Sequence, residues 1–218
     1  MAIRIFIVDD HSIVREGLCS LLDIHDNVIV VGDASDGRQA VSLIQQIMPD
    51  MVIMDIALPG LNGIEATRQI CRKCPSTKVI MLSMFCTSEH IFRAFQAGAS
   101  GYLLKESAGS ELLKAILIVH SGKHYLSEKI AGSVLDDYKK LSAPGRQKKS
   151  PLERLSNREI EILQLVVEGK SSAEIGEVLS LSRKSVETYR SRLMHKLEVK
   201  GLPALIRFAI LNGLSPIE

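Results

Sequence analysis

The chain lacks a long hydrophobic run. No stretch approaches the roughly 18 consecutive apolar residues of a membrane-spanning helix, and Asp9 and Asp10 come too early for a signal peptide. The expected location is therefore cytoplasmic, with no membrane partner. Cysteine is scarce: Cys19, Cys71, Cys74 and Cys86 are all there are in 218 residues, which excludes a disulfide scaffold and fits reduced thiols. Cys71-Arg-Lys-Cys74 has redox or zinc spacing, but no second Cys or His pair accompanies it, so it reads as incidental on a helix end. There is also no glycine-rich loop of the kind that cradles phosphates, which counts against a phosphoryl-transfer enzyme. What is present is ordinary globular composition, 46% hydrophobic and 24% charged.

The net charge of +2 becomes informative when divided. Residues 1–125 carry 11 Lys+Arg against 13 Asp+Glu, a net of −2, and residues 126–218 carry 16 against 12, a net of +4. In the first part, apolar runs at 3–8, 28–31, 51–54, 79–82 and 101–104 alternate with amphipathic segments near 12–23, 37–48, 62–72, 88–97 and 108–120. Five strand-then-helix repeats imply a five-stranded parallel sheet covered on both faces, the doubly wound α/β pattern. Residues 122–151 hold one possible helix, 126–141, followed by "SAPGRQKKSP", which reads as a flexible linker. From 152 to 218 the chain looks all-helical. Ser156-Asn-Arg-Glu159 and Ser171-Ser-Ala-Glu174 match the capping box, Ser182 is a third N-cap, and Gly169 sits where a helix would end. The expected helices are 157–168, 172–179, 183–197 and 202–212, with a helix-turn-helix in the middle.

"MVIMDIALPGLNG" raises a question, because Asp55 ends an apolar strand and loses hydration there unless something compensates. Asp9 and Asp10 end the first strand, Ser83 the fourth and Lys105 the fifth, and the carboxyl ends of a parallel sheet share one edge, where ligands bind. Three repelling acids call for a cation. Mg²⁺ suits them, since it takes one or two carboxylates, keeps waters and leaves room for phosphate oxygens. Asp55 on this reading is a nucleophile for a phosphoryl group, with Lys105 neutralising developing charge and Ser83 donating a hydrogen bond. Taken singly, Asp-Asp could be an N-cap, Ser83 a turn residue and Lys105 a solvated cation. Their joint placement favours the site.

"FIVDDHSIVREGL", "VIMDIALPGLNGIEA", "VIMLSMF" and "GASGYLLKES" resemble the receiver domain of bacterial two-component response regulators over residues 1–121. The resemblance implies phosphorylation of Asp55 by a sensor histidine kinase, with one Mg²⁺ per receiver among Asp9, Asp10, Asp55 and the carbonyl of Ala57. It also implies switch roles for Ser83, Tyr102 and Lys105. Tyr102 alternates with Leu103 on its strand and reads equally as a core residue.

"SRKSVETYRSRLMHKLEVK", residues 182–200, holds six Lys+Arg against two Glu, with Val186, Tyr189, Leu193 and Leu197 as an apolar stripe. Alone it would be a solvated amphipathic helix, but here it follows a capped short helix and a tight turn, and its cations can neutralise phosphates beside a major groove. The stretch from about 152 to 215 resembles the LuxR-type DNA-binding domain of NarL/FixJ regulators. Gly176 stands where the family usually has Ala. The resemblance points Glu187, Thr188 and Ser191 at base edges and makes Lys184, Arg190, Arg192 and Lys196 available to phosphates. Glu187 has an equal alternative, an ion pair with Arg183 or Arg190.

The chain thus reads as a transcriptional response regulator rather than an enzyme, its receiver catalysing only its own phosphorylation and dephosphorylation. Promoter DNA is the expected partner, bound as a homodimer, with Leu205, Ile206, Ala209 and Ile210 offered as part of the dimer interface. Two rivals differ in class: a DNA-binding regulator whose receiver-like module works without phosphate, and a phosphoryl-transfer enzyme or phosphate sink with a protein-docking tail.

Overall fold

In the computed structural model, which describes residues 2–132, 151–212 and 214, the apolar runs form the strands β1 (Ile3–Val8), β2 (Val28–Ala34), β3 (Met51–Asp55), β4 (Lys78–Ser83) and β5 (Gly101–Leu104). They are joined by α1 (Ser12–Leu22), α2 (Gly37–Ile47), α3 (Gly63–Lys73) and α4 (Ser88–Gln96), and α5 (Ala108–His120) follows β5. Side chains alternate across the sheet. Phe6, Val8, Val52 and Met54 face α2, α3 and α4, while Ile5, Ile7, Met51 and Ile53 face α1 and α5. Two covered faces explain why these strands read as unbroken apolar runs.

All pairs are parallel and, with a short sixth strand at Tyr125–Leu126 (β6), the order is β2-β1-β3-β4-β5-β6, so the connections change direction between β1 and β3, beside Asp9 and Asp55. The sixth strand, β6 (Tyr125–Leu126), corrects the expected count of five. Two residues are too few to show a period, and the strand is held instead by Tyr125 Oη and Ser127 Oγ donating to Glu111 of α5 at 2.8 and 2.9 Å. β2 also runs three residues past its expected end, through a register shift opposite Ile5/Phe6. Gly32 belongs there because a Cβ would lie 2.8 Å from the Phe6 ring. The expected helix 126–141 starts later, at 128, because Leu126 belongs to a strand; its part beyond 132 and most of the expected linker lie outside the described residues.

The second helical set packs around its own core, Leu152 to Leu214. It comprises α6 (Asn157–Val167), α7 (Ser172–Leu179), α8 (Arg183–Leu197) and α9 (Leu202–Leu211). Both capping boxes are made, and Ser182 accepts from Ser185 N. Gly169 adopts φ 82° and closes α6, with Lys170 N donating to Leu165 O at 3.0 Å. α7 and α8 meet at a tight turn, and a Cβ on Gly176 would stand 2.6 Å from the Leu181 carbonyl oxygen.

Candidate functional site

Asp55 faces Lys105. Its Oδ2 accepts from Nζ at 3.0 Å, and the same ammonium lies 2.6 Å from Asp9 Oδ2, so one lysine bridges two buried carboxylates at the ends of β1 and β3. Burial, helped by the charges of Asp9 and Asp10 and opposed by Lys105, raises the Asp55 carboxyl to about 6. For Lys105, burial works against the charge, but Asp55 and Asp9 outweigh it and leave the ammonium more basic than usual.

The oxygen donors fit a hard cation. Asp9 Oδ2 and Asp10 Oδ1 are buried without an aligned hydrogen-bond donor, although Lys105 Nζ and His11 Nδ1 stand 2.6 and 2.7 Å away. Asp9, Asp10 and His11 can bring one ligand atom each within 4.8 Å of one another. His11 is an addition to the sequence-predicted set, legible only as the residue after Asp9-Asp10. Asp55 is not one of that trio, and its Oδ2 lies 3.0 Å from Lys105 Nζ. Ala57 lies two residues on, half-buried in the β3–α3 loop.

Ser83 ends β4 fully buried, and its Oγ accepts from Phe85 N at 2.9 Å. Tyr102 is also fully buried, with its hydroxyl donating to Phe85 O at 2.7 Å. Burial holds that phenol well above its ordinary range. The core reading of Tyr102 holds for its ring, and its hydroxyl is tied to the loop that follows Ser83. His90 stacks on Phe85 at 4.6 Å between ring centres, with its Nδ1 2.6 Å from Thr87 Oγ1.

On α8, Val186, Leu193 and Leu197 are buried, Tyr189 is half-buried, and Lys184, Glu187, Thr188, Ser191 and Arg192 are exposed together. Of the two readings of Glu187, the ion pair is made: Arg183 Nε donates to it at 2.9 Å. Thr188 Oγ1 donates back to Lys184 O at 3.0 Å. Two expected phosphate contacts are committed elsewhere. Arg190 Nη1 donates to Ser172 Oγ at 3.1 Å, tying α8 to the start of α7, and Lys196 Nζ donates to the buried Glu159 at 2.7 Å. The dimer expectation also changes, because Leu205 and Ala209 fill the core of their own domain. The apolar surface of α9 is instead Leu202, Pro203, Ile206 and Ile210. A helix of mean apolar character leaves its faces ambiguous in sequence; packing against α6 selects one.

Comparison with known proteins agrees with this geometry. Residues 5–117 match the response regulator receiver domain, and residues 153–209 match the bacterial regulatory proteins of the luxR family. The transcriptional regulatory protein LiaR of Bacillus subtilis is 40% identical over 97% of this chain and 99% of its own length. A LuxR-family two-component response regulator from Aurantimonas sp. SI85-9A1 superposes with TM-score 0.62 at 38% identity, over 64% of this chain and 99% of that one. The response regulator RcsB in complex with DNA superposes over 99% of this chain and 100% of its own, with TM-score 0.60 at 26% identity. A parallel-sheet receiver carrying an acid–lysine cluster, joined to a helix-turn-helix of the LuxR type, places this chain among the NarL/FixJ response regulators, the DNA-binding transcriptional regulators of two-component systems.

Proposed function

We propose that Asp55 is the phosphoacceptor, that a sensor histidine kinase supplies the phosphoryl group, and that modification promotes dimeric binding to promoter DNA. The observation that carries this reading is the Lys105 bridge between Asp9 and Asp55 at 2.6 and 3.0 Å. A carboxylate whose pKa is raised to about 6 is more basic, and so more nucleophilic, than a solvated one, yet remains largely ionised at neutral pH. An Asp55 oxygen forms the new bond to phosphorus while the bond to the donor nitrogen breaks and the leaving imidazole keeps the electron pair. Asp9, Asp10 and Asp55, with the Ala57 carbonyl, would hold one Mg²⁺, which supplies charge neutralisation for the phosphoryl oxygens. Lys105 then pairs with the transferred group, and Ser83 Oγ turns from the Phe85 amide to donate to a phosphoryl oxygen. Tyr102, whose hydroxyl already holds Phe85 O, follows that loop.

On DNA, Lys184 and Arg192 serve phosphates, while Glu187, Thr188 and Ser191 face base edges once Glu187 leaves Arg183. Arg190 and Lys196 mainly hold α8 against α7 and α6. The homodimer uses Ile206 and Ile210 with their exposed neighbours on α9.

The test is incorporation from a small-molecule phosphodonor with Mg²⁺ into the native chain and Asp55→Asn, followed by sizing and DNA binding. The expected outcome is label in the native chain alone, with stronger self-association and operator binding. DNA binding that is identical before and after phosphodonor treatment would favour the phosphate-independent regulator.

A further inference from the structure

His11 has no part in the chemistry assigned to Asp55, Lys105 and Ser83, yet its ring is the nearest nitrogen donor to the first-strand acids. It stands at the N-cap of α1, where Ser, Thr, Asp or Asn would ordinarily accept from an orphan helix N–H, and its side chain makes no such bond. The backbone around it is fixed. His11 N donates to Asp9 Oδ1 at 3.0 Å, His11 O accepts from Val14 N and Arg15 N at 3.2 Å each, and Arg15 Nη1 donates to Asp9 O at 2.7 Å. The imidazole is therefore carried on a tied joint between β1 and α1, with its ring reaching back over the acids.

His11 Nδ1 lies 2.7 Å from Asp10 Oδ1 and 3.3 Å from Asp9 Oδ1. An imidazolium paired with a carboxylate would aim its N–H at one oxygen and satisfy it. That has not happened here: Asp10 Oδ1 is buried without an aligned donor, and so is Oδ2 of the fully buried Asp9. Neighbouring donors on an octahedral ion at about 2.1 Å are about 3.0 Å apart, and the two His11 distances fall on either side of that spacing. One nitrogen and two carboxylates thus converge as donors to a shared ion would.

We propose that His11 Nδ1 is a ligand of the receiver cation and turns an oxygen site for Mg²⁺ into a mixed site that favours divalent first-row transition ions. This rests on the reading that the acid edge holds a divalent cation. The carboxylates attract every divalent ion alike, because that attraction depends on charge. The nitrogen does not: Mg²⁺ prefers oxygen and dehydrates reluctantly, whereas an imidazole lone pair is bound more strongly along the series Mn²⁺, Co²⁺, Ni²⁺. His11 is then the residue that sets which metal the site selects, while Asp9, Asp10 and Asp55 set that it binds one at all. A neighbour acting only through charge or packing would change all four ions by the same factor, so the series itself identifies a ligand.

The test is calorimetric titration of the untagged full chain with Mg²⁺, Mn²⁺, Co²⁺ and Ni²⁺, comparing wild type with His11→Ala, His11→Asn and Asp10→Asn. The His11 side chain is 62% exposed and caps nothing, so both of its variants should fold. Expected for His11→Ala is a loss of affinity that grows along the series, from about twofold for Mg²⁺ to about tenfold or more for Ni²⁺. His11→Asn, which puts an oxygen near the place of Nδ1, should restore Mg²⁺ but not Ni²⁺. The Ni²⁺-loaded wild type should also show a contact-shifted imidazole resonance that His11→Asn lacks and that excess Mg²⁺ removes. Equal factors for all four ions, tighter binding in His11→Ala, or no such resonance would overturn ligation by His11 and leave the cation site standing. No Mg²⁺ bound by the wild type beyond that bound by Asp10→Asn would overturn the cation site, and the ligand with it.

Discussion

Asp55 and Glu159 are both nearly buried carboxylates, 3% and 3% exposed, and each lies against a lysine. Their chemistry diverges because their other neighbours differ. Glu159 receives Lys196 Nζ at 2.7 Å, Ser156 N at 2.7 Å and Ser156 Oγ at 3.0 Å. Burial pushes its carboxyl up, but those donors outweigh burial and hold it below its ordinary value. Asp55 has one cation to share with Asp9, and burial wins. A carboxylate satisfied by its own fold is a structural member. One that is left short of donors is poised for a cation or a phosphoryl group from outside.

The sharpest break between the two is the sign of their effect on stability. The folded chain binds the Asp55 proton more tightly than the unfolded chain does, so ionising Asp55 costs stability as pH rises from about 3.8 to about 6. Asp55→Asn should therefore stabilise the metal-free protein by about 2–3 kcal/mol at pH 7.5. The gain should fade below pH about 4 and shrink when Mg²⁺ is added, as read by urea unfolding across pH. An equal or negative change at pH 7.5 would place Asp55 with the structural acids.

Glu159→Gln should do the opposite, costing about 2 kcal/mol at neutral pH. The contribution is present above the ordinary carboxyl value of 4.5 and is lost as pH falls below it, because the folded-state value is lowered. Lys196→Ala should reproduce part of that loss, smaller because Lys196 is 40% exposed.

DNA binding sharpens the comparison along the helix that carries Lys196. Lys184→Ala or Arg192→Ala should weaken binding to all sequences and lower the slope of log affinity against log salt by about 1 each. Lys196→Ala should change that slope less than it changes stability. The smallest effect expected is from Arg183→Ala, which breaks the exposed pair with Glu187 and should move stability by no more than about 0.5 kcal/mol. Equal salt slopes for all three lysine and arginine variants would show Lys196 to be a phosphate contact after all.

Most element limits were legible to within a residue because local chemistry marks them. Asp36, Asn62, Ser156, Ser171 and Ser182 each cap a helix through their own side chains. β2 and β6 were less legible, since a register shift at Gly32 and a two-residue strand have no local period. Within the site, Asp9, Asp10, Asp55, Ser83 and Lys105 were readable because parallel topology delivers strand ends to one edge. Residues whose partners are far along the chain were not: Lys196 reads as a free cation until Glu159, 37 positions earlier, comes beside it.

The sequence by itself determined the two cores, the helix limits and the acid–lysine edge, since periodicity, caps and strand ends act over a few residues. Only the tertiary structure decided which cations of α8 are free and which face of α9 is apolar and outward. It also decided that a polar stripe on α6 and its C-cap, Asn157, Glu161, Gln164 and Glu168, closes over the loop beside Asp55, with Gln164 Nε2 donating to Leu58 O at 2.7 Å and Glu168 Oε1 accepting from Gly60 N at 2.8 Å. A stripe at that spacing looks the same whether it meets water or another domain. Burial and complementary backbone donors and acceptors distinguish the two, and those exist only once the chain has folded.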